Sequence, residues 1–284
     1  MRLLSLLAIA GAGTLSGCRY DSSPLMFNPA GRVLQVENAV AAVKKNGLPV
    51  VGVVFSDGLL LVTKDRADSG SKQTARSSKK FIIVDEHCCI APSGFAADGI
   101  ALGKAAKTLA AKHKKEFGRN IPIEVLSEHL ADWMHFQTRR GRDTRPLGVS
   151  ALVAGADEEL GFQMYSLEPQ GTYQGWKAVC VGGMHCDRNH AILQGALGST
   201  AAVAVVMGEF WSRLSAQGGE LLASLFASGP ATLGGSDTAD NKEDEEVQVF
   251  TITRSLDVDS GGCPCPWATR LQRLSLKALP PALV

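Results

Sequence analysis

The sequence lacks a charge imbalance, a long hydrophobic run and a disulfide framework. Its 284 residues hold 29 Lys and Arg against 28 Asp and Glu, a net charge of +1. This balance argues against a nucleic-acid binder that works through a general basic field. No segment approaches transmembrane length. The seven cysteines include the adjacent Cys88 and Cys89 in an apolar run and Cys180 in a strand-like segment. Such placement is typical of buried, reduced thiols in a cytosolic or nuclear protein.

Apolar residues are plentiful, and their periodicity predicts both strands and helices. They make up 45% of the chain, enough for a substantial core. Four valines recur at helical spacing in 31–46, and Asp57-Gly58 is a strong hairpin signal between two apolar runs. The predicted helices are 31–46, 95–117, 123–139 and one or two within 201–225. The predicted strands are 50–55, 59–63, 81–84, 87–91, 146–154, 161–167, 173–181 and 247–254.

The order of these elements fits two sheets covered by helices on both sides, in one domain. We expect that domain over 20–227, after a variable tail or mispredicted leader at 1–19. Within it, 66–80 is polar and lacks the apolar positions of a strand. A Gly-rich and then acidic segment at 228–246 is typical of solvated, mobile chain. Residues 247–284 then hold the last strand and a divergent C-terminal segment.

The first residues admit a second interpretation. Met1-Arg2 precedes an apolar run at 3–12, and Leu15-Ser16-Gly17-Cys18 follows. A positive start, a short apolar run and small residues are typical of a secretory signal. The last four residues also resemble a bacterial lipoprotein cleavage box, which would lipidate Cys18. An exported lipoprotein anchored through Cys18 is therefore an alternative to a cytosolic protein.

Several blocks of sequence carry a family resemblance. Residues 20–39 read YDSSPLMFNPAGRVLQVENA. This string resembles the signature of proteasome alpha-type subunits: Tyr-Asp, a short run, Phe-Ser-Pro-x-Gly-Arg, then Leu-x-Gln-Val-Glu-Tyr-Ala. Further blocks follow in the family's order and are most similar to its type-4 branch. They are RPLGVS at 145–150, GFQMY at 161–165, EPQG at 168–171 and GWKA at 175–178.

This resemblance implies an α+β fold, a four-layer αββα sandwich of the N-terminal-nucleophile hydrolase type, in a single domain. It also implies a seven-membered ring of alpha subunits stacked on beta rings of the 20S core. The expected partners are the other alpha subunits, the beta subunits and regulatory-particle ATPases or other activators, in ubiquitin-dependent protein catabolism. The expected location is the cytoplasm and nucleus. We expect no cofactor, nucleic acid or membrane.

The beta subunits of the same family are threonine-type peptidases, so a catalytic alternative must be weighed. They use a threonine freed as the first residue of the processed chain, with an Asp and a Lys nearby. In this sequence the corresponding positions hold Leu48, Lys64 and Lys80. A leucine side chain cannot attack a carbonyl carbon. The resemblance therefore implies a non-catalytic subunit.

Two sets of site residues follow from the resemblance. Tyr20, Asp21 and Pro29 match a cluster that holds neighbouring N-terminal tails in the open-gate arrangement. The fourth member of that cluster, a tyrosine, is replaced by Asn38, which keeps a hydrogen-bonding side chain but lacks the ring. Alternatively, Tyr20 and Asp21 only cap the following helix.

The second set is a pocket between neighbouring subunits. There Lys80 would receive the C-terminal carboxylate of an activator tail, and Gly47 would let backbone pass close to it. The alternative is that Lys80 is a solvated lysine in a polar run.

Two short clusters have spacing compatible with a metal ion. They are Cys186 with His190, and Cys263 with Cys265. Neither has a matched second pair, so we interpret them as loop thiols and a surface histidine, and we predict no metal site.

Overall fold

The computed structural model describes residues 20–21, 23–54, 58–64, 80–140, 144–157, 159–184, 186–198, 246–254 and 267–275. The helices in these ranges are α1 (Leu34–Asn46), α2 (Ala96–Phe117), α3 (Ile123–Arg139) and α4 (Cys186–Gly198). The strands are β1 (Val50–Val54), β2 (Gly58–Lys64), β3 (Ile82–Asp85), β4 (Cys88–Gly94), β5 (Val149–Asp157), β6 (Gly161–Leu167), β7 (Tyr173–Gly175), β8 (Ala178–Val181), β9 (Glu246–Arg254) and β10 (Trp267–Ser275).

The strands form two five-stranded antiparallel sheets. The first sheet has the order β10-β9-β2-β1-β8, and the second has the order β3-β4-β5-β6-β7. The predicted hairpin is confirmed, because β1 pairs with β2 from Val50 opposite Thr63 to Val54 opposite Leu59. The strands predicted at 81–84, 87–91, 161–167 and 247–254 are also confirmed, with small shifts at their ends. The mixture of helices and antiparallel sheets defines an α+β fold.

Helix α1 begins at Leu34 and not at the predicted residue 31. A turn occupies the preceding residues, because the Asn28 backbone N–H donates to the Arg32 carbonyl (2.9 Å). The Asn28 side-chain oxygen accepts from the Arg32 backbone N–H (2.8 Å). Gly31 within this turn has a φ of 75°, in the left-handed region that glycine adopts at little cost. The turn therefore delays the start of the helix.

The prediction of one strand over 173–181 is wrong. The segment contains β7 in the second sheet and β8 in the first. Between them, the Trp176 backbone N–H donates to the Met164 carbonyl of β6 (2.9 Å), and the Lys177 carbonyl accepts from Val54 of β1 (2.7 Å). The chain therefore passes from one sheet to the other at Trp176–Lys177, where the two flanking hydrogen bonds point to different sheets.

The prediction that 247–254 is the last strand is also wrong. β10 pairs along the whole length of β9, from Trp267 opposite Arg254 to Ser275 opposite Glu246. β10 is an edge strand, and edge strands tolerate the charges that its two arginines carry. The predictions for 1–19, 66–79, 201–225 and 228–245 fall outside the described residues.

The apolar side chains form two buried layers. One cluster lies between the two sheets and includes Val50, Leu59, Leu61, Cys89, Leu152, Ala154, Met164, Phe250 and Ile252. The other lies between the second sheet and helices α2 and α3, and includes Ile90, Leu102, Ala106, Ile123, Leu126, Leu130, Met134 and Val153. The predicted burial of Cys88, Cys89 and Cys180 is confirmed, and all three thiols are free. Among the described residues, no helix combines the length and apolarity that crossing a bilayer requires.

Candidate functional site

The N-terminal segment is tied to α1 through Asp21. One of its carboxylate oxygens, Oδ1, accepts from the Asn38 side-chain amide at 3.0 Å and from the Gln35 side-chain amide at 3.1 Å. The Gln35 amide also donates to the Asp21 backbone carbonyl. Two amides, one turn apart on the helix, thus converge on one carboxylate oxygen. Gln35 was not among the predicted site residues, although it lies inside the matched string.

The residues of the predicted gate cluster differ in exposure. Tyr20 and Asp21 are half-buried, whereas Pro29 and Asn38 are exposed. The residue before α1 is Val33, and its side chain makes no capping hydrogen bond. Asp21 instead bonds to side chains in the first and second turns of the helix. The structure therefore brings Asp21 and Asn38 together, and it places Pro29 in the exposed turn before the helix.

A second link within the same string joins Arg32 to Glu37. Both carboxylate oxygens of Glu37 accept from the Arg32 guanidinium, through Nε at 2.6 Å and through Nη2. The hydrogen bond from Arg32 lowers the pKa of Glu37, and the same bond raises the pKa of Arg32. This pair closes the turn onto α1 and gives the Gly-Arg and Gln-Val-Glu parts of the string a common structural role. Sequence reasoning did not predict it.

Gly47 lies where α1 leads into β1. A Cβ at this residue would lie 2.5 Å from the Ser93 Oγ and 2.6 Å from the Val43 carbonyl oxygen. The Ser93 hydroxyl donates to the Leu48 carbonyl at 2.6 Å. The same hydroxyl would be 1.8 Å from a Cβ at Gly182, whose φ is 73°. Close packing against Ser93 therefore requires glycine at both positions. The contacts of Gly47 within this chain are enough to explain why a glycine stands there.

Lys80 precedes β3 and is half-buried. Its backbone N–H donates to the Gln248 side-chain oxygen on β9, at 3.4 Å. Lys80 is thus anchored to β9, whereas Gly47 packs against the end of β4. The two residues predicted to form the tail pocket therefore contact different sheets of the same chain.

Leu48, which was predicted to stand at the nucleophile's position, lies in the link between α1 and β1. Gly47, Leu48 and Pro49 connect the end of α1 directly to β1. The Pro49 carbonyl accepts from the Thr63 hydroxyl at 3.2 Å, next to the end of β2 at Lys64. The backbone nitrogen of Leu48 is therefore engaged in a peptide bond with Gly47.

The interpretation of Cys186 as a loop thiol is wrong. Cys186 is the first residue of α4, and its thiol donates to the Cys180 carbonyl at 2.9 Å. His190 is half-buried one turn later and meets the Trp176 ring edge-on at 5.1 Å. Across the residues that the structure describes, no three His, Cys, Asp or Glu side chains are grouped to hold a metal ion. Cys263 and Cys265 lie outside those residues.

The block at 145–150 is organised by Asp98, in the first turn of α2. Arg145 donates to both carboxylate oxygens of Asp98, at 2.7 and 2.8 Å. The Gly148 backbone N–H also donates to Asp98, at 2.8 Å. The Gly148 carbonyl accepts from the Phe95 N–H at 3.0 Å, just before α2. The motif therefore fastens the start of α2 to the start of β5.

The fold and the site define an α+β protein of two antiparallel sheets in which an N-terminal segment is clamped to the first helix. Comparison with known proteins agrees with this class. The family model described as proteasome subunit matches residues 44–189. Relatives include proteasome subunit alpha type-4-1 of Oryza sativa subsp. indica, 39% identical over 164 residues, or 58% of this chain and 65% of the relative. They also include proteasome subunit alpha type-4 of Spinacia oleracea (36%, same coverage) and proteasome subunit alpha type-3 of Saccharomyces cerevisiae (35%; 58% of this chain, 63% of the relative).

The chain therefore belongs to the proteasome subunit family, and its relatives place it among the alpha-type subunits. It aligns with about 65% of the length of the rice relatives.

Proposed function

We propose that the chain is a non-catalytic alpha-ring subunit of the 20S proteasome core, acting in ubiquitin-dependent protein catabolism. The observation that carries this proposal is the contact of Gln35, which matches the family string, with the carboxylate and the backbone carbonyl of Asp21; this contact holds the N-terminal segment against α1. An alpha subunit needs such a hold, since its N-terminal segment must project in a fixed direction toward the ring axis. The partners would be other alpha subunits, beta subunits and activators, in the cytoplasm and nucleus.

We also infer a four-layer αββα arrangement of the N-terminal-nucleophile type. One apolar layer between the sheets and another under α2 and α3 support three of the four layers. The contacts of α4 with β8 of the first sheet support the fourth. Leu48 supports the non-catalytic role, because its side chain has no nucleophilic atom.

The gate contribution of this subunit is proposed to rest on Tyr20, Asp21, Pro29 and Asn38. The Asn38 amide occupies one Asp21 oxygen from within the same chain, at 3.0 Å. A tyrosine at this position would instead carry a ring and a hydroxyl beyond the reach of an amide. Asn38 therefore favours a segment held in its own subunit over one that bonds to a neighbour.

The substitution Asn38→Tyr tests this role in assembled particles. We expect faster hydrolysis of a fluorogenic peptide by particles opened with an activator, because the tyrosine restores the fourth member of the cluster. Lys45→Ala, an exposed change on the same helix, is the control and should leave the rate unchanged. Equal rates for Asn38→Tyr, wild type and the control would refute the gate contribution of this position.

Docking of an activator tail is proposed at Lys80, beside Gly47. Lys80 is half-buried, and a partly enclosed ammonium group would suit a terminal carboxylate. The test is binding of a regulatory-ATPase tail peptide to assembled rings that carry Lys80→Ala. We expect weaker binding than to wild-type rings, while Lys112→Ala on the exposed face of α2 should bind as wild type. Unchanged affinity with Lys80→Ala would remove Lys80 from the pocket.

A further inference from the structure

Two cysteines meet where β8 leads into α4. Cys180 lies on β8, and Cys186 opens α4. The Cys186 thiol donates to the Cys180 carbonyl at 2.9 Å. The Asn189 side-chain amide reaches the Cys180 Sγ at 3.8 Å. The two thiols therefore share one site, although five residues separate them in sequence.

The surroundings favour a thiolate on Cys186. The neighbouring Cys180 thiol lowers the pKa of Cys186, and the positive charge of Lys44 and the Gly182 backbone N–H act in the same direction, whereas burial and the Asp187 carboxylate act to raise it. Cys186 also stands at the N-terminus of a helix, where the helix dipole favours an anion. The neighbouring Cys186 side chain, together with burial, raises the pKa of Cys180. One thiol is thus prepared to attack, and the other keeps its proton.

The remaining described cysteines have the opposite surroundings. Burial raises the pKa of Cys88 to about 12 and also raises that of Cys89. Both lie in β4 with almost no exposed surface. They should be inert as nucleophiles, which makes them an internal reference for any reaction at Cys186.

A cavity of about 440 Å³ gives access to the pair. Its lining includes Cys180, Cys186, Trp176 and His190, together with Lys44 and Asp187. Lys44 and Asp187 are exposed and lie 3.4 Å apart, so the cavity reaches the surface beside the two thiols. Its volume is within the range of sites that hold small molecules, roughly 300–1,000 Å³.

We propose that Cys180 and Cys186 form a redox-active dithiol that is oxidised by a low-molecular-weight disulfide such as glutathione disulfide. The Cys186 thiolate attacks one sulfur of that disulfide, forms a mixed disulfide and releases one thiolate. The Cys180 sulfur then attacks the Cys186 sulfur and expels the second thiolate, which takes the Cys180 proton. Two electrons pass from the protein dithiol to the small disulfide, which leaves as two thiols. The product is a Cys180–Cys186 disulfide that ties β8 to α4.

The test is peptide mapping of the folded full-length chain after exposure to glutathione disulfide. Cleavage after Lys177 and Arg188 releases 178–188, a peptide whose two cysteines are Cys180 and Cys186. In the wild type we expect this peptide to lose two hydrogens. In Cys180→Ser we expect Cys186 to accumulate bound glutathione, because the resolving thiol is absent. In Cys186→Ser we expect Cys180 to stay unmodified.

The peptide 81–104, which carries Cys88 and Cys89, should remain reduced in every variant and serves as the control. Circular dichroism identifies any variant that fails to fold. If one does, the initial alkylation rates of the cysteines in the wild type test the same proposal without a substitution. Cys186 should be alkylated at least tenfold faster than Cys88 and Cys89. Equal alkylation rates would overturn the proposal, as would a Cys180→Ser chain that holds no more glutathione on Cys186 than the wild type does.

Discussion

Removal of the Asp98 carboxylate should destabilise the fold more than removal of a comparable surface carboxylate. Asp98 is a first-turn residue of α2 with a side chain only 10% exposed, whereas the Arg145 side chain is 60% exposed. Because of that exposure, the ion pair itself contributes only about 0–1 kcal/mol. The larger contribution is the bond to the buried Gly148 N–H, since leaving such a group without a partner costs about 1–3 kcal/mol. We therefore expect Asp98→Ala to lower the free energy of unfolding by about 2–3 kcal/mol.

The matched control is Asp187→Ala, in the first turn of α4. Its side chain is 89% exposed and pairs with an exposed lysine at 3.4 Å, so its loss should cost less than about 1 kcal/mol. Urea unfolding followed by circular dichroism measures both values. Arg145→Ala should fall between them, because Asp98 then still accepts from Gly148. Equal midpoints for Asp98→Ala and Asp187→Ala would refute this account of the 145–150 block.

Two further predictions concern packing and pH. Gly47→Ala should lower the free energy of unfolding by about 1–3 kcal/mol, because the added methyl group would overlap Ser93. The control is Gly175→Ala, where the added methyl group would face only the Tyr165 ring, at 3.2 Å. Equal losses of stability for the two variants would contradict the packing argument. Burial raises the pKa of Asp157 above its ordinary value of 3.8, so the folded state binds the proton more tightly than the unfolded state does. The stability of the wild type therefore falls as the pH rises from 3.8 to the raised pKa. Asp157→Asn keeps an oxygen for the Ile123 N–H, so it should gain stability relative to the wild type across that range; a difference that does not vary with pH would contradict this.

The elements with strong local periodicity were predictable from the sequence. Helix α3 spans Ile123–Arg139 as predicted, because Ile123, Leu126, Leu130 and Met134 recur on one face and are all fully buried. The β1–β2 hairpin was predictable for a similar reason, since two apolar runs flank a strong turn signal. Both features depend on near neighbours in sequence.

The features that depend on distant contacts could not be predicted in this way. The passage of 173–181 between two sheets is decided by hydrogen bonds to Met164 and Val54, which sequence spacing does not encode. β10 was missed because Arg270 and Arg273 interrupt its apolar pattern, and only pairing with β9 makes it a strand. In the candidate site, the family string indicated Asp21 and Asn38, but their convergence with Gln35 required the turn that folds the N-terminal segment onto α1.

Copurification tests the central proposal, incorporation into a proteasome alpha ring, most directly. The full chain, tagged at its C-terminus and expressed at its normal level in its own organism, should sediment with 20S particles. Mass spectrometry should find it there together with other alpha and beta subunits, at one copy per ring. A chain that is expressed and folded but absent from those particles would contradict the account.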